Sequence, residues 1–495
     1  MQNTSSSSHQ WPVLVWRHLF QVTLTFCLWL SLVGRTGAQT FTTLHSFTNV
    51  SSFTATNTDG ANPYAGLTLS GHELYGTTYA GGDSTLGTLF SVKTDGTGFT
   101  KLLAFSNLGN IPGNRAALIV SGNTLYGTTA FGGTVGYGTV FAINTDGSGF
   151  TNLYNFNGDD GYSPMAGLVL SGNRLYGTTE LGGSSRQGNV FALNTDGSGF
   201  TNLYSFSATH PLTGHGGTNA DGALPLSKLV LSGSTLYGTA ANGGVWGWGA
   251  VFAINTNGSG FTNLHSFTDS EGRWPQAGLV LSGGTLYGTT SIGGNASKGT
   301  VFAVNTAGTV FTNLHSFMAV VSNTNSDGAN PYAALTLSGD TLYGTTRFGG
   351  GSGNGTVFAL KIDGTGFTTV HSFGGLTAFS GTYTNSDGSN PYDELALGSN
   401  MVYGTAYQGG SAGNGTVFSL SVMPVSAPPL AILPSGSNVV LTWPANWSGF
   451  TLEVASNLGA PVVWHSNLSA PVIFNGQNTV TNAISGSQRF YRLRE

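Results

Sequence analysis

The sequence predicts an all-β fold: a seven-bladed β-propeller of four-stranded blades, closed by its N-terminal strand and followed by a small C-terminal β-sandwich. Three observations predict it. "LYGT", once "VYGT", recurs with its tyrosine at Tyr75, Tyr126, Tyr176, Tyr237, Tyr287, Tyr343 and Tyr403, and self-similarity at a period of roughly 50 residues marks a repeat architecture. Each copy contains four β-prone runs, in the fifth "AGLVLSG" (277–283), "TLYGTTS" (285–291), "GTVFAVN" (299–305) and "FTNLHSF" (311–317). Finally, a fourth-type run, "FTTLHSF" (41–47), precedes the first full unit, while the last unit stops after its third-type run at 415–421. One surplus strand at the start matches one missing strand at the end. A circle uses both and leaves only short, protected sheet edges, whereas an open stack would need caps.

The elements follow in chain order. Arg17 and His18 precede the apolar run "LFQVTLTFCLWLSLVG" (19–34), and small residues at Thr36 and Ala38 follow. This pattern reads as a secretory signal peptide, residues 1–38, and the run is shorter than the roughly 20 residues a spanning helix needs. The alternative is an uncleaved anchor. Cys27, the only cysteine, lies inside that run, so the exported chain is expected without disulfides despite an oxidising compartment. Residues 39–422 hold the seven repeats. Their runs are rich in β-branched and aromatic residues and alternate apolar with polar. "SGG" or "SGN" joins the first two strands, and "NTDGSG" or a variant joins the last two, supplying positive-φ residues for tight hairpins. The glycine of "LYGT" lies inside a strand, where it marks close approach of neighbouring structure.

The 77 glycines show no three-residue period, and 12% aromatic residues accompany only 7% charged ones. That composition excludes collagen and intrinsic disorder. A net charge of −5 without a basic stripe argues against nucleic acid as a partner.

The core "LYGTT-x-x-GG-x(4–6)-GTVF", followed by "N-T-D-G-S-G-F-T-x-L-x-x-F", resembles the GloVer (Gloeo_Verruco, choice-of-anchor) tandem repeat of bacterial extracytoplasmic proteins over residues 41–422. The resemblance implies an exported repeat protein, secreted or held at the cell surface, and implies no catalytic activity. Residues 423–437, with Pro424, Pro428, Pro429 and Pro434, read as a stiff linker. Residues 438–495 read as a sandwich of five to six strands with Trp443, Trp447 and Trp464 as core candidates. This end resembles a short domain attached to many exported bacterial proteins, which implies surface sorting, carbohydrate contact or a stable end cap.

Candidate functional residues concentrate in the connections from second to third strand and from fourth strand to the next first strand, which share one face and carry the length variation. Exposed aromatics there, Trp246, Trp248, Trp274, Tyr64, Tyr332 and Tyr392, suit stacking on sugars or gripping a protein, unless they pack between blades. Those around 246–274 neighbour His210, His215 and Asp221, which makes that sector the first candidate. An acid-glycine pair before proline also recurs, with Asp59, Asp160, Asp327 and Asp387 as calcium candidates, or as plain turn formers. His265, His315 and His371 alternate with Tyr154 and Tyr204 at one strand position, as a packing site would. No nucleophile elbow, zinc-binding helix or phosphate loop is present. The expected function is therefore a non-catalytic, monomeric binding scaffold without a cofactor, for a glycan or protein ligand and off the membrane once the leader is cleaved. The alternatives are a polysaccharide lyase or glycosidase using carboxylates near a central channel, and a purely structural display protein.

Overall fold

The structure, a computed structural model, describes residues 39–495 except 52–53, 107–115, 213–214, 380–381, 423–429, 436, 445–450, 457–463, 467–470, 475–476, 484–488 and 495. The leader with Cys27 and the core candidate Trp447 therefore lie outside the described residues. Every described element is a strand, and no helix among the described residues is long and apolar enough to cross a membrane.

The repeat's four runs form four antiparallel strands. In the fifth repeat they are Val280–Ser282, Thr285–Thr290, Thr300–Asn305 and Phe311–Ser316, paired in that order. The sheet of the first repeat takes one more strand, Ala61–Pro63, on its second. The fourth strand carries a bulge: Val301 faces His315 while Phe302 faces Asn313, so Leu314 is skipped. The same skip falls on Leu44, Leu102, Leu153, Leu203, Leu264 and Val370. Such a bulge re-aims the side chains after it, here the His/Tyr position. The opening strand, Phe41–Ser46, pairs antiparallel with Thr416–Ser421 in a sheet completed by Met401–Ala406 and Ala396–Leu397.

Burial between sheets is the main source of cohesion. The cluster joining repeats 4 and 5 combines Val251, Leu264 and Phe267 with Leu279, Leu286 and Phe302. Equivalent clusters join each sheet to its successor, and one joins the sheet of the opening strand (Phe47, Tyr403, Val417) to the first repeat (Leu67, Leu74, Phe90). A Cβ on Gly288 of "LYGT" would sit 2.6 Å from Phe302 Cζ and 2.8 Å from Leu279 Cδ2. The glycine is therefore a packing device. The threonine after it bridges sheets: Thr289 Oγ1 donates to the Ala333 carbonyl at 3.0 Å, and Thr405 Oγ1 donates to that of Ala65 at 3.1 Å. These contacts are those of a propeller-like fold.

The C-terminal strands form two sheets. One comprises Ala431–Ser435, Asn438–Pro444, Gln477–Ala483 and Val472–Phe474; the other comprises His465–Ser466, Thr451–Ala455 and Phe490–Arg494. Ala431–Ser435 corrects the expectation of a linker running to residue 437. Its Pro434 is accommodated because the strand lies at a sheet edge, where a missing N–H costs no ladder bond. Trp443 is buried in this module with Leu441, Leu452 and Val480. Trp464 is not a core residue; it is half-buried with the Arg492 guanidinium 4.3 Å above its ring.

Candidate functional site

The recurring acids hold the connection after six of the fourth-type strands. Asp327 accepts from His315 Nε2 at 3.1 Å and from the Met318 N–H at 3.0 Å. Asp59 accepts from His45 at 3.0 Å and from the Thr48 N–H and hydroxyl. Asp387 pairs with His371 at 3.0 Å, and Glu271 with His265 at 3.3 Å. Where the strand carries tyrosine, its hydroxyl donates instead, Tyr154 to Asp160 at 2.5 Å and Tyr204 to Asp221 at 2.8 Å. Each of these rings also stacks on the first phenylalanine of the next fourth strand, for example His315 on Phe367 at 3.9 Å. His371 stacks on Phe41 at 4.0 Å and His45 on Phe99 at 3.8 Å, so the opening strand fits the series at both of its neighbours.

The acid-glycine turn is also present, with Gly328 at φ +95°. The acids thus serve the turn and the ring above it together. Burial pushes the Asp59 carboxyl up, but the donors His45 and Thr48 outweigh it and hold the group below its ordinary value. The calcium candidates Asp59, Asp160, Asp327 and Asp387 stand one per connection on these internal donors. Among the described residues no group of three or more His, Cys, Asp or Glu side chains is arranged to hold a metal ion.

The proline that follows has an unusual predecessor. Asn62, Ser163, Leu224, Trp274, Asn330 and Asn390 all take positive φ, from 55° to 60°, although a residue before proline normally prefers extended backbone. Each donates its N–H across to the preceding repeat, as Trp274 does to Trp248 O at 3.1 Å and Asn330 to Lys298 O at 2.8 Å. The strain is held by these cross-links.

Beyond the prolines the chain starts converge. Of the residues before the first-strand leucine in the seven repeats, Ala117, Gly167, Lys228, Gly278, Ala334 and Glu394 line one small cavity of about 100 Å³, and the seventh, Gly66, lies against Glu394. Lys228 and Glu394, three repeats apart, form an ion pair at 3.0 Å. Asp393 accepts from the Gly66 N–H at 2.7 Å and from the Glu394 N–H at 2.8 Å. Burial, with the Glu394 charge beside it, pushes the Asp393 carboxyl up to about 7. The Glu394 charge raises Lys228 against the opposing effect of burial. Tyr64, Tyr332 and Tyr392 line the same cavity. Tyr64 stacks on Tyr392 at 4.3 Å, and the Arg347 guanidinium lies 4.4 Å from the Tyr392 ring centroid.

The tryptophans form a separate patch. Trp246 is 54% exposed and Trp274 39%. Trp248 is half-buried against the cluster between repeats 4 and 5, with the Arg273 guanidinium 4.6 Å from its ring. His210 is exposed on an inserted hairpin, His210–Leu212 with His215–Thr218. Asp221 is buried under Tyr204 and Ser207 and presents no free carboxylate to a ligand. The structure therefore divides the aromatic candidates into a tyrosine cluster at the cavity and a tryptophan patch on the connections.

Sequence reasoning missed Lys228, Asp393, Glu394 and Arg347. The signal for the first three was available. Aligned repeat on repeat, their two columns hold only Gly, Ala or Ser elsewhere.

The Gloeobacter/Verrucomicrobia repeat model matches residues 34–224 and 212–418. No curated protein matches the chain. Among solved structures, an oligogalacturonate lyase from Vibrio parahaemolyticus is similar at 10% identity and TM-score 0.47, covering 78% of this chain and 97% of its own. A putative 6-phosphogluconolactonase from Bacteroides uniformis is similar at 17% identity and TM-score 0.42, covering 68% and 96%. A nidogen/laminin complex is similar at 16% identity and TM-score 0.35, covering 59% and 89%. At these identities and scores no activity transfers.

Proposed function

The chain belongs to the Gloeobacter/Verrucomicrobia repeat family, and from that premise we propose that it is an exported, non-catalytic binding scaffold. Its seven sheets are the blades of a closed propeller, its C-terminal sheets a small sandwich, and its ligand a glycan or protein taken on the connection-rich face. The observation that carries the reading is the tryptophan patch. Trp246 and Trp274 expose large rings on a backbone fixed by the Trp274 N–H to Trp248 O bond, and rigid exposed aromatics on such a frame suit stacking on sugar rings or anchoring a partner. A cavity of about 100 Å³ at the centre is smaller than the roughly 300 Å³ at which small-molecule sites begin, which favours recognition on the surface. The scaffold acts as a monomer without a cofactor. Calcium at the Asp59-type carboxylates would have to displace their internal donors.

The test is a glycan array, backed by pull-down of surface proteins, with the full chain and a Trp246→Ala, Trp248→Ala double variant. Binding to any glycan or protein that the variant loses supports the reading, and a binding profile that the variant leaves wholly unchanged rejects the patch.

A second reading, a lyase or glycosidase, is favoured by one observation. An Asp393 carboxyl raised toward about 7 beside Glu394 has the poise of a general acid or base. Product release from a polysaccharide panel that Asp393→Asn abolishes would replace the first reading with this one. If neither binding nor turnover is found, a structural display role is left.

A further inference from the structure

Over repeats 5 and 6 lies a second cavity, of about 540 Å³, within the range of small-ligand sites. Its lining holds no carboxylate and combines the ammonium of Lys298, the ring of Phe348 and the amides of Asn323, Asn330, Asn354 and Asn390. The lysines in ion pairs among the described residues are Lys101, Lys228 and Lys361, so Lys298 stands without a counter-charge there. Next to Phe348, the Arg347 guanidinium lies 4.4 Å from its ring centroid. Arg347 has its Nε buried without an acceptor and makes no ion pair among the described residues. Two cations without ion-pair partners in one sector attract an anion.

The walls are set before any ligand arrives. Asn330 Nδ2 donates to Ser291 O at 2.9 Å, Asn390 Nδ2 to Arg347 O at 3.0 Å, and Asn354 Nδ2 to Gly374 O at 2.6 Å. A small turn closed by Val321 and Thr324, with Ser322 and Asn323 at positive φ, reaches the opposite wall. A Cβ on Gly353 would meet Asn323 O at 2.9 Å.

We propose that this cavity binds a saccharide unit carrying an anionic substituent. The sugar ring lies on Phe348, its hydroxyls meet the asparagine amides, and the anion sits at Lys298 in the field that Arg347 reinforces. The site is distinct from the tryptophan patch and does not depend on it.

The test is calorimetric titration of the full chain with three probes: an alginate oligosaccharide (carboxylated), a dextran sulfate oligosaccharide (sulfated) and a neutral dextran oligosaccharide. An anionic probe binds, the neutral one does not, and added salt weakens the complex. Lys298→Met, which removes no side-chain hydrogen bond among the described residues, lowers affinity ~10-fold, as loss of a charge-assisted contact should, with an unchanged melting temperature. Phe348→Ala weakens binding comparably, while Trp246→Ala with Trp248→Ala leaves it intact. Which anionic probe wins assigns carboxylate or sulfate. No binding of either anionic probe, equal binding of neutral dextran, or unchanged affinity in Lys298→Met would overturn the proposal.

Discussion

Gly288→Ala isolates the role of the strand glycine. The residue is not at positive φ, so alanine meets no backbone penalty there. The obstacle is space: the new methyl would sit 2.6 Å from Phe302 Cζ and 2.8 Å from Leu279 Cδ2, and Phe302 is fully buried. Neither neighbour has an exposed end to swing away, so the sheets must part or both side chains repack. Overpacking of this kind costs ~1–3 kcal/mol. Gly351→Ala is the matched control, because its Cβ would find only Ser372 Oγ at 3.7 Å. Its effect should stay within about 0.5 kcal/mol, on either side of zero. Guanidinium unfolding followed by tryptophan fluorescence reads both, and the midpoint should fall for Gly288→Ala alone. Equal midpoints for the two variants would refute the claim that sheet-to-sheet crowding selects glycine in "LYGT".

Leu224→Asn should stabilise the fold by ~1 kcal/mol in the same assay. Asparagine tolerates positive φ where leucine is strained, and it can reach the Glu180 carbonyl as Asn390 reaches that of Arg347. His265 gives a pH dependence. Burial depresses its pKa against the pull of Glu271, so the unfolded chain binds the proton more readily and stability falls as pH drops from the ordinary histidine value near 6.5 toward the lowered folded value. His265→Tyr, which copies Tyr154 and Tyr204, should flatten that slope between neutral and mildly acidic pH. A slope unchanged in the variant would assign it to other groups.

Much of the strand pattern was legible because each run repeats seven times and alternation is local. The fourth-strand bulge was not, since "FTNLHSF" alternates well enough to hide the skipped Leu314. The acids and the His/Tyr position were both visible as recurring features, but their pairing required knowing that each connection folds back over the strand before it. Asp327 therefore read as a turn residue and His315 as packing, when they form one unit. The positive φ before proline was hidden for another reason. Leu224 and Trp274 carry no local preference for it, and tertiary hydrogen bonds impose it. Lys228, Asp393 and Glu394 were overlooked because they break a column of small residues that only the converging chain starts make meaningful.

The most direct test of closure uses the register of the opening strand, in which Thr42 faces Ser419. Thr42→Cys with Ser419→Cys, in a Cys27→Ser background, should form an intramolecular disulfide on mild oxidation of the native protein, seen as a faster-migrating monomer on non-reducing gels. A chain that forms only intermolecular cross-links, or none unless unfolded, would contradict the closed ring and the recognition face built on it.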